Sequence, residues 1–256
     1  MKRLGCRETT FFFVGLLSAV KAEKSKRSAT FFLSAVKAEK SKRSATFFFV
    51  VKTMKKTEHI IVPEGCSKLL LHACCAPCSS AIVEWLLAHG VTPVIYYYNP
   101  NIYPREEYEI RKAESKRHAE SLGIEWIDAD RSGYDHDAWL QAVQGLEHEP
   151  ERGRRCEACF YHRLIATAKK AQELGIEWFA TTLASSRWKN LEQVNRAGDA
   201  AAEVVSRQHS AVSFWAQNWR KDGLQDRRNA LLKQYGFYNQ QYCGCEFSIR
   251  PAGEHR

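Results

Sequence analysis

The chain has 256 residues, of which 45% are hydrophobic, and a formal charge of +9, enough length for one α/β domain with an appendage. The charge is not spread evenly: residues 1–53 hold 12 Lys and Arg against 3 Asp and Glu, which is +9, and the rest has 26 of each sign. Net charge therefore gives no argument for nucleic-acid binding by the body of the protein, although local patches can still act.

The first 53 residues contain a tandem duplication, Leu17 to Phe32 repeated letter for letter as Leu33 to Phe48. Solenoid architectures need at least about three copies, so two identical copies read as a duplicated or mis-started basic leader. Met54 is the expected true beginning, followed by a single catalytic domain over 54–256. A signal peptide is the rival reading, with Lys2, Arg3 and Arg7 ahead of the apolar Phe11 to Ala19. That run is too short to span a bilayer, and no membrane association is expected.

From Cys66 onward, strand and helix patterns alternate. Leu69 to Ala73 reads as a buried strand that runs into Cys74-Cys75-Ala76-Pro77-Cys78, with Ser79 or Ser80 as the cap of a helix over Ala81 to His89. Pro93 to Tyr98 is a second strand, closed by the turn Asn99-Pro100-Asn101, and Arg105 to Leu122 a charged amphipathic helix. Ile124 to Ala129 is a third strand, Asp135 to Gly145 a helix and Glu147 to Arg155 a polar loop. Cys156-Glu157-Ala158-Cys159 opens a helix continuing to Leu174, and Trp178 to Leu183 is a fourth strand. The tail from Asn190 is expected to be mostly helical, with Trp215, Trp219, Phe237, Tyr238 and Tyr242 as aromatic surface. Strands separated by helices predict a parallel sheet with right-handed crossovers, flanked by helices in a three-layer sandwich with a helical C-terminal part. The first three thiols then sit at the carboxyl end of a strand, where open α/β sheets bind ligands. No Gly-Lys pair closes a P-loop, and no Gly-x-Gly opens a dinucleotide fingerprint.

Seven of the nine cysteines fall into three groups: Cys74, Cys75 and Cys78; Cys156 and Cys159; Cys243 and Cys245. A secreted disulfide framework serves small cores, so grouped thiols in a chain of this size read as metal ligands or redox groups. A C-x-x-C pair at a helix start is a good chelate, because the helix N-terminus and the neighbouring Arg152, Arg154, Arg155 and Arg163 offset thiolate charge. Two thiols around Gly244 can close a strained, easily reduced disulfide. Seven thiols exceed the four of one tetrahedral zinc; an iron–sulfur cluster takes four and leaves three, a redox pair among them.

These motifs, together with Asn99-Pro100-Asn101-Ile102, Tyr108, Arg163-Leu164, Thr181-Thr182-Leu183, Tyr238, Tyr242 and Ser248, resemble the QueH-type epoxyqueuosine reductases over about residues 66–250. The resemblance implies a nucleotide α-hydrolase-like (Rossmann-like) fold, a 4Fe-4S cluster on Cys74, Cys75, Cys156 and Cys159, and a redox-active pair formed by Cys243 and Cys245. It implies an additional mononuclear iron, for which Cys78 is a candidate ligand. It further implies cobalamin-independent removal of the epoxide oxygen of epoxyqueuosine in the anticodon loop of tRNA, fed by an unidentified electron donor in the cytoplasm. Ser185-Ser186-Arg187-Trp188-Lys189 lacks the proline that the family pattern leads one to expect after Ser186. Candidate proton donors are Tyr242, Asp128, Asp130 and His72. Candidate tRNA contacts are Arg111, Lys112, Lys116, Arg117 and His118, then Arg220, Lys221, Arg227 and Arg228, with Tyr96, Tyr97, Tyr98 and Tyr103 for stacking. A thioredoxin-like thiol oxidoreductase using Cys75 and Cys78, and a zinc-binding RNA or protein interaction module using Cys156, Cys159, Cys243 and Cys245, are the alternatives.

Overall fold

The computed structural model describes residues 60–129, 134–207 and 210–249; the leader, Met54 and Asp130 lie outside these residues. The organising element is β1, Lys68–His72. Leu69, Leu70, Leu71 and His72 are all fully buried, as in a central strand covered on both faces. It pairs in parallel with β2, Thr92–Tyr97, and with β4, Trp178–Thr181, so that Leu71 lies beside Ile95 on one side and Ala180 on the other. β3, Trp126–Asp128, and β5, Ser213–Phe214, add to the edges, giving the order β3-β2-β1-β4-β5.

The chain first winds from β1 out to β3, then returns to β4 and winds the other way. Right-handed crossovers accordingly place helices on opposite faces of the sheet. α1, Ala76–Ala88, and α2, Arg105–Ser121, serve the first half; α3, His136–Ala142, and α4, Arg154–Glu173, lead into the second; α5, Leu191–Ser206, joins β4 to β5, and α6, Leu224–Tyr235, packs on α1. Strand order reverses between β1 and β4, the switch point beyond whose carboxyl ends doubly wound sheets bind ligands. The close approach of α5 to β5 depends on Gly198, where a Cβ would stand 2.3 Å from the Phe214 ring.

Several local expectations change. α1 begins at Ala76 rather than Ala81, with Cys75 as N-cap and Pro77 in the first turn. Proline is compatible with that turn because the missing N–H has no partner to lose there. Ser79 and Ser80 are inside the helix, donating to the carbonyls of Cys75, Ala76 and Pro77. α4 begins at Arg154, so the end of the expected polar loop is helical. β4 stops at Thr181, whose Oγ1 accepts from the Leu183 amide at 3.1 Å and turns the chain into a 3-10 segment, Thr182–Ser185. β5 went unseen because two residues carry no period. Trp215, Trp219 and Phe237 are buried rather than surface, the two tryptophans packed with Trp85 between α1 and the C-terminal segment.

Candidate active site

The crevice is built outward from His72, the last residue of β1. Its Nδ1 lies 2.8 Å from Thr181 Oγ1 and its Nε2 3.1 Å from the Tyr98 carbonyl. A carbonyl only accepts, so Nε2 carries the proton and Nδ1 accepts from the threonine hydroxyl. Burial, helped by Arg163, lowers its pKa to about 3. His72 is thus a neutral tie between the ends of β2, β1 and β4. Asn99 adds another, donating to the Ala73 carbonyl at 2.9 Å and accepting from Arg163.

Immediately beyond, the Cys74 amide and Sγ both meet the Thr182 hydroxyl, at 3.2 and 3.4 Å. Cys75 caps α1 and Cys78 sits in its first turn, which brings the three sulfurs within 4.8 Å of one another, all buried. The Cys74 and Cys75 sulfurs are 3.8 Å apart. Hydrogen bonds from Cys75 and Cys78 hold the Cys74 thiol well below its ordinary pKa despite burial, while that same hydrogen bonding pushes Cys75 well up and Cys78 to about 11. One thiolate is welcome here and three are not, unless a cation replaces the protons. The triad could hold a metal ion.

A cavity of about 490 Å³ opens over this floor, lined by Cys78, Cys156, Cys243 and Cys245 together with Lys189 and Tyr242. Cys156 lies in the first turn of α4, where its Sγ accepts from the Arg152 amide at 3.2 Å; burial pushes its pKa to about 11. Cys159, one turn on, packs with Cys245 against Trp139 and Val143, and Arg163 reaches its Sγ at 3.9 Å. Burial, then Cys159, raises Cys245 to about 12. Lys189 is half-buried; burial works against its charge, and the sulfurs of Cys243, Cys74 and Cys78 outweigh it and raise its pKa. All eight described cysteines are free thiols. The three sequence groups therefore meet around one opening.

The Cys243-Gly244-Cys245 loop is held by its backbone. Arg111, from α2, donates Nη1 to the Cys243 carbonyl and Nη2 to that of Tyr242, both at 3.2 Å. Its Nε binds Glu107 Oε1 at 2.7 Å, and Glu107 Oε2 accepts from the Tyr238 hydroxyl at 2.7 Å. The Tyr103 amide donates to the Gly244 carbonyl at 2.8 Å. Gly244 has φ +114°, and a Cβ there would lie 3.0 Å from Ile102 and 3.1 Å from Arg111; both facts demand glycine. Below, His136 bridges the Pro100 carbonyl and Glu246 at 2.7 and 2.9 Å.

Of the proposed proton donors among the described residues, Tyr242 alone lines the cavity, its hydroxyl donating to the Tyr103 carbonyl. His72 is sealed beneath, and Asp128 pairs with Lys112 at 2.8 Å. Of the α2 residues expected to meet RNA, Arg111 and His118 are corrected, since both are buried, whereas Lys116 and Arg117 are exposed in surface ion pairs. Arg111 is buried with Glu107; Lys116 pairs with Glu120 and Arg117 with Glu114; His118 is buried between Tyr235 and Phe237. Arg227 is held by Glu84 at 2.7 and 2.9 Å, and Arg220 donates to the Lys189 carbonyl. Tyr96 and Tyr97 are buried in the fold, Tyr98 is half-buried against His162, and Tyr103 is exposed. Sequence reasoning gave Arg187, Trp188 and Lys189 no site role, the five-residue run ending at Lys189 being noticed only for the proline it lacks; Arg152 was named only for offsetting thiolate charge and Thr182 only as part of the family pattern.

Fold and site together define an α/β protein of the doubly wound type whose switch point carries a metal-competent cysteine triad under a thiol-lined cavity. The sequence pattern of the family described as "Epoxyqueuosine reductase QueH" matches residues 69–251, and the chain belongs to that family. Similar proteins named epoxyqueuosine reductase QueH include one from Haemophilus influenzae, 45% identical over 199 residues covering 78% of each chain, and one from Histophilus somni, 46% identical over 76% of this chain and 77% of that one. A third, from Thermotoga maritima, is 33% identical over 71% of this chain and 90% of its own.

Proposed function

We propose that this chain is an epoxyqueuosine reductase, removing the epoxide oxygen of epoxyqueuosine in tRNA to give queuosine and water, the last step of tRNA queuosine biosynthesis. The observation that carries this reading is the meeting of three distant cysteine groups around one cavity at the switch point. Neither a thioredoxin-like dithiol nor a zinc module calls for all three groups in one place.

The reaction takes up two electrons and two protons; the C–O bonds of the epoxide break and an alkene forms. Cys74, Cys75, Cys156 and Cys159 are the four thiols we assign to a 4Fe-4S cluster, with Cys78 at hand for an additional iron. The donor set suits such a group: buried sulfur, one thiol whose pKa its sulfur neighbours hold well below the ordinary value, and positive charge from Lys189 and Arg163 nearby. When bound, the cluster supplies electrons one at a time and the extra iron a Lewis acid. Cys243 and Cys245 are assigned as the redox-active pair, which in passing from dithiol to disulfide releases two electrons and two protons. Arg111 and the Tyr103 amide fix the loop that carries them. An external donor, unidentified, must reduce the pair again after each turnover. A reducing cytoplasm suits free thiols, and no helix among the described residues is long and apolar enough to cross a membrane.

The test is anaerobic incubation of the iron-loaded protein and a reductant with tRNA bearing epoxyqueuosine, followed by nucleoside mass spectrometry. Loss of one oxygen from the modified nucleoside is expected. An unchanged nucleoside with fully loaded protein contradicts the assignment.

A further inference from the structure

Five cations line the cavity: Arg152, Arg155, Arg187, Lys189 and Arg228. None of them makes a salt bridge among the described residues, although Glu151 and Asp226 share the wall. Two of the five face inward. Arg155 is buried, donates to the carbonyls of Glu147 and Glu149 and lies over the Phe247 ring at 5.3 Å; Lys189 answers to the sulfurs. Arg152, Arg187 and Arg228 are left at the mouth, the first two exposed and the third half-buried. Trp188, a large apolar side chain 52% exposed, lines the same cavity. The segment that carries it is tied down: Arg152 donates Nε to the Trp188 carbonyl at 3.0 Å and Nη2 to that of Arg187 at 3.4 Å. Arg152 is itself set by a left-handed backbone, φ 69°, with its carbonyl accepting from Gln193 at 2.8 Å. Rim and thiol floor are mechanically linked, because the Arg152 amide also binds the Cys156 sulfur.

Guanidinium groups outside any salt bridge among the described residues, beside a half-exposed indole, are what a single-stranded nucleic acid needs, phosphate neutralisation plus a stacking face. A cavity of about 490 Å³ has room for one extruded nucleoside, within the common size range of ligand sites, and not for a folded stem. An enzyme acting on a base takes that base out of its stack, which leaves the flanking phosphates at the mouth. Resting on the RNA-substrate reading above, we infer that the rim of Arg152, Arg187, Trp188 and Arg228 binds the ribose–phosphate strand flanking the reacting nucleoside, with the Trp188 indole stacked on a neighbouring base.

The test measures, by fluorescence anisotropy over a salt series, binding of an epoxyqueuosine-bearing anticodon stem-loop RNA to the iron-loaded protein. Arg187→Glu/Arg228→Glu should weaken binding more than tenfold at low salt and flatten the slope of log K against log salt by about 1 to 2. Trp188→Ala should weaken it about tenfold with little change of slope. Lys116→Glu/Arg117→Glu, on α2, should change it less than twofold. Iron content checks each variant; should the double variant lose iron, Arg187→Ala and Arg228→Ala singly carry the same expectation at about threefold each. Wild-type affinity and slope in the rim variants, with epoxide reduction intact in the wild type, overturn the rim and spare the function. A wild type that binds no RNA overturns both.

Discussion

Helix α2 and the cavity rim carry five Lys and Arg each and use them in opposite ways. On α2 every one is paired: Arg105 with Glu109, Arg111 with Glu107, Lys112 with Asp128, Lys116 with Glu120 and Arg117 with Glu114. At the rim none is. In the sequence α2 is the conspicuous cluster, four positive residues and a histidine within eight positions, while the rim is scattered over 152 to 228. Charge density along a chain therefore says little about charge available to a partner; what decides is whether a carboxylate lies within reach once the chain is folded.

The contrast is sharpest at Arg111, where α2 spends a charge on architecture. Arg111→Met should leave Glu107 buried without its partner and the Cys243 and Tyr242 carbonyls without their donor, costing about 3–5 kcal/mol in urea unfolding. Arg187→Glu/Arg228→Glu, at exposed or half-exposed positions, should cost less than about 0.5 kcal/mol in the same assay. Equal losses would erase the distinction between the two regions.

A smaller effect separates them by pH. Burial, with Arg117 alongside, lowers the His118 pKa from 6.5 to about 4. The unfolded chain then binds a proton that the folded one refuses between those values, so stability falls as pH drops from 6.5 towards 4. The loss is roughly 3 kcal/mol from pH 7 to pH 4. Other buried histidines add their own slope, so the check is a difference: His118→Phe should flatten the fall by about that amount, and an unaltered profile would mean that His118 is charged and available after all.

Much of the framework was legible because strong local signals agreed. Leu69-Leu70-Leu71 could only be a buried strand, and the helix–strand alternation dictated a parallel sheet with the cysteines at its carboxyl edge. The helix start at Ala76 was misplaced because serines are better caps than cysteine on average, whereas Pro77 was the informative residue. The contents of the site were legible as far as cysteine spacing reached. What periodicity could not supply was partnership: that Arg111 turns inward to hold the Cys243 loop, that Thr182 meets Cys74, and that Arg187-Trp188-Lys189 lies over the thiols. The first two of those contacts span 132 and 108 residues of chain, and no local pattern encodes them.

The account rests on thiols gathered at the β1–β4 switch point to hold iron and sulfide. The most direct measurement is the metal and acid-labile sulfide content of anaerobically purified wild-type protein beside Cys156→Ala. The wild type should be brown, with about four or more irons and matching sulfide per chain, and Cys156→Ala should lose both the iron and turnover. Zinc alone in the wild type, or an iron-free Cys156→Ala that still reduces the epoxide, would contradict it.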